Sequence, residues 1–75
     1  MDLRGKSTLV LGLGQSGLAM ARWLVRQGAC VRVADSRRSA PQVDALRAAL
    51  PEVTVLAGPF APEAFAGVEL IAISP

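Results

Sequence analysis

The chain has no histidine and no tyrosine, and one cysteine and one tryptophan among its 75 residues. Without histidine it lacks the side chain used most often for proton transfer and for binding metals. With a single cysteine it can form no internal disulfide framework, which suits a reducing cytoplasm. Cys30 itself reads as a small packing residue rather than a reactive thiol. No cluster has metal-ligand spacing, so no metal is expected. The acids Asp2, Asp44, Glu52, Glu63 and Glu69 are scattered and read as solvated surface groups. Nothing here can act as a positioned nucleophile or acid–base pair, so no catalytic residue is assigned. Long apolar runs are also missing, and none approaches the roughly 18 residues of a membrane span. Residues 1–6 lack the apolar core of a signal peptide. A cytoplasmic location without membrane contact is therefore expected. Net charge is +2, and the arginines are spread out with no aromatic interleaving, which gives no reason to expect nucleic-acid binding.

Apolar residues are plentiful, at 52% of the chain with a mean hydropathy of +0.43. A parallel sheet explains this, because its strands are apolar on both faces. The length allows one small domain or a piece of one; such a chain hides only about 60% of the surface its unfolded form exposes. The informative stretch is Leu9-Val10-Leu11-Gly12-Leu13-Gly14-Gln15-Ser16-Gly17. A strand-like run enters Gly-x-Gly-x-x-Gly and a helical pattern follows at once, the context that gives this motif meaning. Gly12 permits a sharp turn, Gly14 lets a phosphate approach the main chain, and Gly17 lets the helix pack on the sheet. The helix N-terminus then offers free N–H groups and a positive dipole end. The stretch reads as a cradle for a nucleotide diphosphate.

The rest of the chain alternates in type. Strands are expected at residues 8–11, 30–34, 53–56 and 70–73, with helices at 16–27, from about 39–41 to 50, and at 62–65. Gly28 suits a helix C-terminus and Gly67 closes the short helix. Met20, Ala21, Leu24 and Val25 form an apolar stripe with Trp23 at its margin, while Arg22 and Arg26 face solvent. Arg32 inside the second strand suggests an edge strand or an exposed sheet end. Gly5-Lys6-Ser7-Thr8 imitates the tail of a Walker A loop but precedes its strand and lacks the upstream glycine, so ATP is not expected there. The fold expected is α/β: a Rossmann-like parallel sheet of four strands in order 2-1-3-4 with helices on both faces. Ligands on such sheets bind at the carboxyl ends of the strands, where residues 12–17, 35–38 and 74–75 converge.

Arg4-Gly5-Lys6, the glycine stretch, Ala21-Arg22-Trp23-Leu24, Gly28-Ala29, Asp35-Ser36-Arg37 and Ile73-Ser74-Pro75 together resemble the N-terminal domain of the D-glutamate-adding Mur ligases. The resemblance covers essentially residues 1–75. It implies a domain that holds the UDP part of UDP-N-acetylmuramoyl-L-alanine and contains no cofactor of its own. ATP and Mg2+ would belong to a central domain, and a C-terminal domain would take part in D-glutamate binding; both lie outside this chain. It also implies site residues: Gly14, Gln15, Ser16 and Gly17 at the diphosphate and beside the uracil, Asp35, Ser36 and Arg37 as the other wall of the uracil pocket, and Ser74 and Pro75 near the nucleotide sugar. The residues alone leave a second reading open, an NAD-binding half-domain of a dehydrogenase or NAD sensor, because Asp35 ends its strand about 20 residues beyond the glycines, where such folds place the acid that contacts a ribose. A structural domain that binds no nucleotide is the third.

Overall fold

In the computed structural model, which describes residues 2–73, the chain runs β1 (Ser7–Leu11), α1 (Gln15–Arg26), β2 (Cys30–Asp35), α2 (Val43–Ala49), β3 (Thr54–Ala57), a 3₁₀ turn (Pro62–Phe65) and β4 (Leu70–Ile73). All strand pairs are parallel, β1 with β2, β1 with β4 and β2 with β3. The Rossmann-like α/β class holds. The strand order is β3-β2-β1-β4, not the expected 2-1-3-4, so β1 is flanked by β2 and β4.

The reason lies in which face α2 covers. Ala21 and Leu24 of α1 share one core with Leu46 of α2, together with Val10 and Val33 of the sheet. Two right-handed crossovers with helices on the same face must step the chain the same way twice, from β1 to β2 to β3. The third connection then returns past both strands and lays β4 against the free side of β1. The opposite face has a smaller core, Leu9, Ala34 and Ala64, under the 3₁₀ turn. The chain reverses its direction of travel between β1 and β4, the kind of switch point where open α/β sheets bind ligands.

Three local expectations change. Of the two settings expected for Arg32, the edge strand is excluded, since β2 lies between β1 and β3, whereas the residue does sit toward the exposed amino end of the sheet. Its Nη1 donates to the carbonyls of Glu63, Ala64 and Ala66 at 3.2, 2.8 and 3.2 Å, so an inner strand carries the charge that clasps the 3₁₀ turn. Cys30 is exposed rather than packed in the core. Finally, α2 begins at Val43, not near residue 40: Ala40 is buried, Pro41 and Gln42 form a turn, and no side chain caps the helix. The C-terminus of α1 is as expected. Gly28 has φ 85°, and an added Cβ would sit 3.0 Å from Cγ of Arg4. No helix of the described residues is long and apolar enough to cross a membrane.

Candidate functional site

The turn after β1 is shaped from below. Gly12 has φ 95°, a conformation other residues rarely adopt, and its N–H donates to the carbonyl of Ala34 at 2.8 Å. Leu13 is fully buried and pins the loop to the core, while Gln15 and Ser16 are exposed and Gly17 is buried. Gly14 is the N-cap of α1 with φ −94°, so its backbone does not require glycine. An added Cβ would meet no atom within 4 Å. Glycine there leaves open space over the first turn of α1, which carries no acidic residue. The first N–H groups of a helix have no partner within it, so this turn presents donors and the positive dipole end to that space. The N-cap is a glycine, so no side chain caps α1, and Ser16 lies exposed in its first turn.

The end of β2 is built differently. Asp35 is 3% exposed, and its carboxylate accepts four hydrogen bonds. Oδ1 accepts from the backbone N–H of Arg37 at 2.8 Å and from its Nε at 2.9 Å. Oδ2 accepts from Nη2 of Arg37 at 2.7 Å and from the backbone N–H of Leu13 at 2.7 Å. These donors fill the four lone-pair sites of a carboxylate. The Arg37 guanidinium holds the Asp35 carboxyl far below the usual carboxylate range despite the opposing effect of burial, with the N–H groups of Leu13 and Arg37 adding to the shift. The Arg37 side chain is 54% exposed, so its guanidinium lies partly open at the sheet edge, held in plane by its fork on Asp35. Ser36, between them, is exposed. The Asp35 carbonyl accepts from the N–H of Gly58, over which the Arg38 side chain lies.

The structure therefore brings Gly14, Gln15, Ser16, Gly17, Asp35, Ser36 and Arg37 to one edge, and joins the glycine turn to the β2 turn through the Leu13–Asp35 bond. Ser74 and Pro75 lie outside the described residues. Sequence reasoning missed Leu13 as a donor to Asp35 and Arg37 as the partner of that carboxylate; Asp-x-Arg at a strand end was the available signal. The Walker-like stretch is engaged in local contacts at the other end of the sheet. Lys6 pairs with Glu69 at 3.5 Å, and the buried Thr8 donates to the Lys6 carbonyl at 3.2 Å. They sit at the amino end of β1, away from the glycine turn. A cleft of about 400 Å³ at that amino end, lined by Ser7, Cys30, Arg32 and Glu52 among others, contains no residue of the glycine turn.

Known proteins carry the same pattern. A family model described as Mur ligase MurD-like, N-terminal domain, matches residues 6–75. The UDP-N-acetylmuramoylalanine--D-glutamate ligase of Dechloromonas aromatica (strain RCB) is 57% identical over 75 residues, which is 100% of this chain and 17% of that protein. The ligase of the same name from Nitrosospira multiformis is 53% identical, over 100% of this chain and 16% of that protein. The chain thus spans about a sixth of the length of these relatives. Among solved structures, SirC, precorrin-2 dehydrogenase, superposes with a TM-score of 0.75 over 99% of this chain and 36% of that one; at 22% identity this shows a shared fold alone.

Proposed function

The chain belongs to the MurD-like N-terminal domain family of the Mur ligases, and from that premise we propose that its carboxyl edge holds the UDP part of UDP-N-acetylmuramoyl-L-alanine during ATP-dependent addition of D-glutamate, a cytoplasmic step of peptidoglycan synthesis. The observation that carries the reading is the open space over Gly14 at the N-terminus of α1, beside a guanidinium already held in plane. Backbone N–H groups of residues 14–17 donate to the diphosphate, and the free Ser16 hydroxyl adds a donor. Ser36 and its backbone meet the imide edge of uracil, which needs both a donor and an acceptor. The exposed plane of Arg37 stacks on the base. Ser74 and Pro75, carried over from the family resemblance, border the nucleotide sugar.

The reaction itself needs groups that this stretch does not hold. ATP with Mg2+ would supply the phosphoryl group for activating the substrate carboxylate, and among the described residues no group of three metal-binding side chains converges. The part of this chain is to bind and orient. Its partners are the remaining ligase domains. The NAD reading loses its main support, because the Asp35 carboxylate that suggested it is already engaged.

The test is steady-state ATP hydrolysis by the full-length protein. Turnover should require both UDP-N-acetylmuramoyl-L-alanine and D-glutamate, and free UDP should compete with the former and not with ATP. Turnover that ignores the UDP substrate, or UDP competing with ATP alone, would overturn the reading.

A further inference from the structure

We infer that Arg37 is a specificity residue: by occupying the Asp35 carboxylate it removes the acceptor that an adenosine ribose would use, and so keeps dinucleotides such as NAD out of a turn that otherwise fits them. The inference rests on reading the carboxyl edge as a nucleotide site. Three observations carry it. The glycine turn has the spacing, the positive φ at Gly12 and the open space at Gly14 that suit a dinucleotide pyrophosphate. Asp35 stands at the end of β2, where such folds use an acid to accept the ribose 2′-hydroxyl. Yet its Oδ1 and Oδ2 take three hydrogen bonds from Arg37 and one from Leu13, leaving the carboxylate 3% exposed. A ribose hydroxyl would have to displace a charge-assisted fork to reach it. The cap needs no other element, because its donor sits two residues along the same loop.

The cap is removable in a way the core is not. The Arg37 side chain is half exposed, so shortening it opens a path to the carboxylate while Leu13 still donates to Oδ2. The experiment uses the full-length ligase, titrated calorimetrically with NAD and with UDP, as wild type, Arg37→Ala and the double variant Asp35→Asn/Arg37→Ala. Arg37→Ala should bind NAD at least about tenfold more tightly than wild type, the lower end of what a hydrogen bond to a charged group gives. The double variant should lose that gain, because its amide carries no charge. Thermal melting, and the amide resonance of Leu13 in the labelled protein, should show Arg37→Ala folded with the Leu13–Asp35 bond intact. Unchanged NAD affinity in Arg37→Ala, an equal gain in the double variant, or unfolding of Arg37→Ala would each overturn the cap. Wild type that binds no UDP would instead sink the nucleotide-site reading, whereas UDP binding without any NAD gain would sink the cap alone.

Discussion

The turn after β1 and the turn after β2 lie side by side at the carboxyl edge, but one is made by omitting side chains and the other by filling a carboxylate. At Gly14 the neighbouring space is empty and α1 begins without an acid or a capping side chain. At Asp35 every lone-pair site has a donor, and the charge is balanced within the loop. N–H groups without a partner are available to an external anion, whereas the Asp35 carboxylate already has its donors within the chain. On the proposed reading, the first turn binds and the second positions. The two turns are still coupled, because the carboxylate also takes the N–H of Leu13 from the middle of the glycine motif. A change at Asp35 should therefore reach the phosphate side, and a change at Gly14 should stay where it is.

The largest expected effect follows from that coupling. Asp35→Ala leaves the Leu13 N–H buried without an acceptor and releases Arg37, which should destabilise the fold by about 3 kcal/mol. Urea unfolding measures this, and a loss under about 1 kcal/mol would mean that the bracket holds little. Acid should remove a smaller part of the same contribution, because a protonated carboxyl can still accept from Leu13. The sign follows from the direction of the shift. Asp35 is depressed in the folded state, so its stabilisation is complete at neutral pH. It starts to fade only below the ordinary carboxylate value of about 4 and is lost as pH falls through the lower folded-state value. Asp35→Asn should flatten this acid limb in a melting-temperature profile; a profile identical to wild type would assign the limb to other carboxylates.

Gly14→Ala probes the other turn. Its φ of −94° admits alanine and its Cβ meets no atom, so stability should change by no more than about 1 kcal/mol, the usual effect of a poorer N-cap. UDP binding should nevertheless weaken by about tenfold or more, because the methyl occupies the space a phosphate would take. Equal losses of stability and affinity would erase the distinction between the turns. Ser16→Ala should be the mildest in folding, within about 0.5 kcal/mol, since no capping bond is lost. Its UDP affinity should fall by about 1.5 kcal/mol, and a drop in melting temperature with no change in affinity would make Ser16 structural.

The turn after β1 was legible in the sequence because its information lies in residue types: Gly12 takes a positive φ that other residues rarely adopt, at the point where the strand gives way to α1. The alternation of strands and helices was legible for the same reason, through apolar spacing and Gly28 at the end of α1. The strand order was not, because β1 and β2 carry apolar side chains on both faces and do not reveal that α2 shares a core with α1. Arg32 was half legible: a charge in a strand suggests an edge or an exposed end, and it sits toward the exposed end, but the distant 3₁₀-turn carbonyls that let an inner strand carry it leave no mark in the local pattern. Asp35 was found at the right strand end, but its role depends on where a flexible arginine settles, which no spacing rule encodes.

The central claim is that the carboxyl edge, and no other part of this chain, receives a uridine diphosphate. Amide chemical-shift mapping of the 15N-labelled chain during titration with UDP, with NAD as the parallel titration, tests it most directly. The account predicts shifts centred on Leu13 to Gly17 and on Ser36 and Arg37, larger with UDP than with NAD at equal concentration. Shifts centred on the amino-end cleft around Ser7, Cys30 and Glu52, or tighter binding of NAD than of UDP, would contradict it.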